Sequence, residues 1–192
     1  MDTKKIAILG ALVLLSLILA VVFFRSGGEE RIRHYSDEPL QEQETLSREP
    51  LQTRSITLFF LSEDDNLLHP EKREILDDSS VAHLAVLTIR ELLKGSQMGL
   101  LSALPLETEL RELFITKGGI AYVDLSAEIR EGHQSGSSAE IATVFSVVNS
   151  LTYNFRDIKK VFILIDGSEK ETLAGHVDLS QPLVPRYDLV AN

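Results

Sequence analysis

"ETELRELFITKGGIAYVDLS", residues 107–126, decides how this chain folds. Two runs rich in β-branched, aromatic and other apolar residues flank Lys117, Gly118 and Gly119. A short Gly-containing connection between such runs predicts a β-hairpin, here with strands over 109–116 and 120–125. Just upstream, "DDSSVAHLAVLTIRELLKG" (77–95) offers Asp78, Ser79 and Ser80 as caps. Ala82, Ala85, Val86, Ile89, Leu92 and Leu93 then recur at helical spacing, and Gly95 is placed to close the helix. His83, Arg90 and Lys94 fall on the polar side. Further back, "RSITLFFLS" (54–62) reads as a strand ended by the acidic loop 63–66. Within "LLHPEKREIL" (67–76), Pro70 demotes the segment to an edge strand or a loop with a strand end.

Downstream of the hairpin, "EGHQSGSS" (131–138) is a loop, and Ser137 with Glu140 fits the S-x-x-E capping box. The helix it opens carries Ile141, Val144, Phe145, Val148 and Leu151 on one face, with Thr143, Ser146, Asn149 and Ser150 mostly away from it. "KKVFILIDG" (159–167) is a continuous apolar run closed by Asp-Gly, as in a central strand, and a last short strand is expected around 171–174. Strands before, between and after two helices predict an α+β domain: a mixed β-sheet with the two helices packed on one face.

The tetrapeptide VDLS ends the hairpin and recurs at 177–180. Beyond it the copies pair Tyr122 with His176, Glu128 with Pro182 and Arg130 with Val184, so no duplicated domain is implied. Asp124 and Asp178 are expected at strand ends, accepting local backbone N–H bonds, with Ser126 and Ser180 doing the same. His176, beside Gly175, is read as structural rather than catalytic.

The chain begins differently. Ile6 to Phe24, "IAILGALVLLSLILAVVFF", is uncharged. As a helix it spans roughly 28 Å of hydrocarbon, which predicts a transmembrane signal anchor over 6–24 after a cytoplasmic stub, 1–5. The apolar run exceeds a secretory h-region, and Val22, Phe24 and Arg25 offer no small-x-small cleavage site. There is no cysteine to carry a lipid, a disulfide or a thiolate metal site. Residues 25–53 form an acidic flexible linker, since Ser26–Thr53 holds seven acidic and three basic residues and few apolar ones. Lys4, Lys5 and the terminal amine balance Arg25, Arg31 and Arg33, so the charge rule is nearly tied. The short stub favours N-in, with residues 54–192 translocated.

Residues 54–192 carry 21 acidic and 13 basic residues, a net charge of −8. That excludes the clustered cations of nucleic-acid binding and argues against attraction to anionic lipid. No G-x-S-x-G occurs, and the acidic runs at 63–65 and 77–78 read as solvated turn and cap residues. His34, His69, His83, His133 and His176 are too scattered to place two ligands on one helix face. "EDDN" lacks the alternating ligands of a calcium loop, and Gly118-Gly119 is too short to cradle phosphate. No catalytic, cofactor-binding or metal residues are predicted, and no cofactor.

Leu104-Pro105 ahead of the hairpin, the block Ala121–Ser126 and Asp166-Gly167, in that order and spacing, resemble the GerMN domain of spore-forming bacteria across about 54–186. The resemblance implies a tethered, extracytoplasmic, non-enzymatic envelope domain whose fold is similar to small ring-building modules, with a link to sporulation or germination. It brings no catalytic residues. The expected role is an interaction or assembly module at the bacterial inner membrane. It contacts the bilayer through its N-terminal helix, and an envelope protein or a second copy through its sheet face, a strand edge or an apolar groove near Leu100–Leu106. The alternative is a cell-wall glycan- or peptide-binding or hydrolytic module, with polar groups around His133, Asp124 and Asp178 meeting peptidoglycan. A periplasm-dependent reporter enzyme fused after Asn192 is expected to be active; activity of a cytoplasm-dependent reporter alone would overturn the N-in topology.

Overall fold

The computed structural model describes residues 52–133 and 136–191. The predicted stub, signal anchor and nearly all of the linker lie outside the described residues. Among the described residues no helix is long and apolar enough to cross a membrane.

Strand β1, Thr53–Leu61, pairs antiparallel with β2, Leu68–Leu76. From Glu71 onward β2 alternates strictly between buried and exposed positions, so of the two readings Pro70 left open it is the edge strand. Its inward positions are Glu71, Arg73 and Ile75, and the two buried charges hide the apolar alternation. Pro70 is tolerated for a geometric reason. It faces Phe59, whose own N–H and C=O are both bonded elsewhere, so this pair needs no ladder bond from position 70.

Helix α1, Val81–Leu93, is capped by the Ser80 Oγ, which accepts the His83 N–H at 3.3 Å. It ends on Gly95 at φ +79°, whose N–H reaches Leu92 O. Leu84, Ala85, Thr88, Ile89 and Leu92 are buried, a stripe rotated from the expected one so that Leu84 and Thr88 replace Ala82 and Val86. The Thr88 hydroxyl bonds back to Leu84 O, which lets it sit inside.

The hairpin forms as expected, with β3 over Leu110–Ile115 and β4 over Ile120–Leu125. Gly119 sits at φ +80°, and a Cβ there would lie 2.5 Å from Asp157 O. Its carbonyl accepts from both Lys159 and Lys160, so the turn also sets the start of β5, Lys160–Ile165. β5 runs parallel to β4, leaving β4 central. The expected central strand is therefore at the sheet edge, where Leu183 exchanges both backbone bonds with Val161. Ala121, Val123, Leu125, Val161, Ile163 and Ile165 face the core. On the opposite face Phe114, Tyr122 and Phe162 form a cross-strand row, with ring centroids 4.7 and 5.2 Å apart.

The strands thus form two sheets, not the single mixed sheet expected, although the α+β class stands. After the short α2, Glu128–Glu131, helix α3, Ser137–Asn154, packs against both β1 and β5. Ser146, Ser150 and Asn154, one helical turn apart, line up on a single face. The Ser146 hydroxyl donates to Phe59 O (2.5 Å), and the Ser150 Oγ accepts Phe59 N–H (3.1 Å). Asn154 accepts Thr57 N–H (2.8 Å) and donates to Thr57 O (2.7 Å). Side chains of a helix complete the edge that another strand would otherwise satisfy.

Two further expectations are corrected. Gly136, not Ser137, precedes the first turn of α3, and no side chain caps it. The Glu140 carboxylate is fully buried and accepts the N–H groups of Leu173, Ala174 and His176 at 2.8–3.0 Å. The strand expected at 171–174 is consequently irregular: its donors are met by a carboxylate rather than by a neighbouring strand.

Replacing Asn154 by Ala leaves the N–H and C=O of Thr57 unpaired and should destabilise the domain by about 1–3 kcal/mol. Urea unfolding reads this directly, and an unchanged midpoint would remove the side-chain ladder from the account.

Candidate functional site

The segment between α1 and β3 carries an unusual amount of exposed apolar surface. Leu106 is 81 % and Met98 71 % exposed, and Leu101 is also exposed. Loops of this kind normally stay polar, so what holds this one in place matters.

At its start the buried Glu71 accepts the Ser96 hydroxyl (2.6 Å), the Gln97 N–H (3.1 Å) and the Met98 N–H (3.3 Å). Arg73 donates from Nε to Glu71 (2.6 Å) and from a guanidinium nitrogen to Gly95 O (2.8 Å), and it lies over the Phe60 ring. Burial by itself would raise the Glu71 carboxyl. The Ser96 hydroxyl, the Gln97 N–H and Arg73 outweigh it and hold the group below its ordinary range. Farther along, the Leu101 N–H donates to Leu61 O, extending β1 by one bridge. The Thr143 hydroxyl donates to Ala103 O, and Pro105 lies so close to Gly132 that a Cβ at 132 would meet the proline Cβ at 2.9 Å.

These anchors leave a groove of about 320 Å³ between Leu101–Leu106, Leu61 and the first turns of α3 at Ala139 and Ala142. His133 lies at its side, with Nε2 3.1 Å from Thr143 Oγ1. Because that hydroxyl spends its proton on a backbone carbonyl, His133 Nε2–H is the donor of the pair. On the other side of Pro105, Leu106 and Gly132, which line both, a second hollow lies between Glu107, Glu128 and Glu131. The groove is apolar and this lip beside it is acidic.

The residues weighed for chemistry do not meet. His133 belongs to this groove. Asp124 accepts Arg111 Nε (3.1 Å) and the Gly167 N–H (2.8 Å), and Arg111 also reaches Asp166 at 2.7 Å. Asp178 is exposed and accepts from the N–H and hydroxyl of Ser180, the local turn expected of it. The parallel reading of Asp124 and Ser126 is corrected. Both bind at a distance along the chain, Ser126 Oγ accepting the Glu109 N–H across the hairpin. The His176 ring contacts Glu140 at 2.9 Å and so helps clasp the C-terminal loop to α3, the structural role anticipated. Asp65 and Asp78 serve a turn and a cap, each beside a histidine. Among the described residues no group of three His, Asp or Glu is arranged to hold a metal ion. The sequence pointed to the apolar stretch 100–106. It did not show the acidic lip, because Glu107 lies more than twenty residues from Glu128 and Glu131.

Glu71→Gln sets an amide donor against the donors of the 96–98 loop and should cost about 3 kcal/mol at pH 7. The folded Glu71 carboxyl lies below the ordinary 4.5, so its stabilisation is complete above that pH and is lost as pH falls through the folded value. Urea titrations of parent and variant should therefore converge in acid, while a gap independent of pH would contradict the anchoring role.

The family model described as "Germane: Sporulation and spore germination" matches residues 57–171. No curated protein sequence matches the chain. Among solved structures, the first GerMN domain of the sporulation protein GerM from Bacillus subtilis is 22% identical with a TM-score of 0.53, the alignment covering 68% of this chain and 97% of that one. The tandem GerMN domains of the same protein give 23% and 0.53, covering 69% of this chain and 46% of the tandem chain. A candidate lipoprotein from Clostridium perfringens is 30% identical with a TM-score of 0.49, covering 69% and 87%. The two Bacillus structures share its fold, and with more than half of its length matched by the family model, the chain belongs to the Germane family of sporulation and spore germination domains.

Proposed function

We propose that this chain is a non-enzymatic interaction module of the bacterial cell envelope, tethered to the inner membrane by residues 6–24 and serving sporulation or germination machinery outside the cytoplasm. The observation that carries the interaction reading is the anchored, exposed apolar loop Met98–Leu106. Several independent bonds hold its backbone while Met98, Leu101 and Leu106 face solvent, an arrangement suited to presenting a surface rather than burying one. The family supports the sporulation and germination context. The apolar run 6–24 supports the tether. His133, Asp124 and Asp178 each serve a separate local network, which favours recognition over hydrolysis.

Cell-wall glycan binding is a second reading, favoured by the stacked Phe114–Tyr122 pair on the outer sheet face. Its ring planes lie within 6° of each other, and Phe114 is exposed. Photo-crosslinking in intact cells separates the two. A crosslinker at Leu106 of the full chain should yield a discrete protein adduct that a crosslinker at Lys72 does not. Peptidoglycan fragments captured from Phe114, with no protein adduct from Leu106, would transfer the proposal to the glycan reading.

A further inference from the structure

We infer that the groove selects a peptide segment carrying a bulky apolar side chain beside lysine or arginine; this rests on the interaction reading above and names the chemistry of its partner. The apolar part has Leu101, Leu104 and Pro105 on one wall and Ala139 and Ala142 on the other. The small alanines are what open it, since larger side chains at those helix positions would fill the space. At about 320 Å³ and open along one side, it sits at the low end of small-molecule sites and suits inserted side chains.

The lip supplies the sign of the charge. Glu107 and Glu131 are exposed and have no cation within 4 Å among the described residues. The nearby Ser126 hydroxyl and Arg111 guanidinium hold the Glu128 carboxyl below its ordinary range, but that guanidinium is committed to Asp124 and Asp166. Arg130 shares the short helix α2 and does not line the groove. A cation arriving next to an apolar anchor would therefore find unpaired carboxylates, whereas an acidic partner or an anionic lipid surface would be repelled. The acidic hollow and the apolar groove adjoin, sharing Pro105, Leu106 and Gly132, so one short segment lying across these residues can reach both.

Fluorescence anisotropy with the full chain tests this, using three labelled decapeptides that alternate leucine with lysine, leucine with glutamate, and serine with lysine. The leucine–lysine peptide should bind at least about tenfold more tightly than either comparator, and should weaken as salt rises from roughly 50 to roughly 300 mM. The double change Glu107→Gln with Glu131→Gln should reduce its affinity by about tenfold, and so should Ala139→Trp, which fills the groove. Leu106→Ser, at an exposed position, gives a loss that misfolding would not explain. If leucine–glutamate binds equally well, the acidic lip does not select and the inference fails while the interaction reading stands. If serine–lysine binds as well and Ala139→Trp changes nothing, the attraction is only that of a chain of net charge −10, and the inference fails. If no peptide binds, the inference fails as well; a protein adduct from Leu106 would then show that the broader reading survives.

Discussion

Helix α3 joins the two sheets in one domain, its polar side chains bonded to β1 and its apolar ones packed in the core that β5 shares. Ser146, Ser150 and Asn154 are bonded to the backbone of Thr57 and Phe59, while Val144, Val147, Val148 and Leu151 belong to the same buried core. A helix packed on a strand edge with apolar residues alone would leave the edge N–H and C=O groups unpaired inside the protein, each a penalty of about 1–3 kcal/mol. Short polar side chains solve this, because Ser and Asn reach the backbone without pushing the helix away. The same helix uses Asn149 to bind both backbone groups of Arg186, Thr143 to hold Ala103, and Glu140 to gather the 173–176 loop.

Buried carboxylates extend this logic to the loops. Glu71 and Glu140 each satisfy several backbone N–H groups that no strand or helix supplies. For both, hydrogen bonds outweigh the burial that would raise the pKa, so each remains an anion in the folded state and tightens its loop as an acceptor. The groove at Leu101–Leu106 depends on the first of these. Without Glu71 the loop would lose its fixed origin, although Leu101 and Ala103 would still be bonded farther along.

Much of the fold is legible in local patterns. The hairpin about Lys117–Gly119, the first helix with its Ser80 cap and Gly95 stop, and the strands at 54–62 and 159–167 all follow from turn chemistry and apolar spacing. Where reading fails, a polar residue has a distant partner. At 68–76 Pro70 weakened the reading, and the inward charges Glu71 and Arg73 bond to Ser96, Gln97 and Gly95, more than twenty residues away. Ser137 and Glu140 had the spacing of a capping box, yet Glu140 faces donors more than thirty residues away. Of the site, the apolar stretch 100–106 was visible as composition, and the acidic lip was not.

By itself the sequence determined the α+β class, the hairpin with its turn and both long helices, because these depend on contacts between near neighbours in the chain. It also set the acidic charge, on which the expectation of no nucleic-acid partner rests. Tertiary structure decided that the strands divide into two sheets, that polar side chains of a helix complete a strand edge, and that Glu107, Glu128 and Glu131 gather beside the leucine-lined groove. Each of those outcomes joins segments far apart in sequence, where what a polar group bonds to is set by which backbone the fold brings within reach.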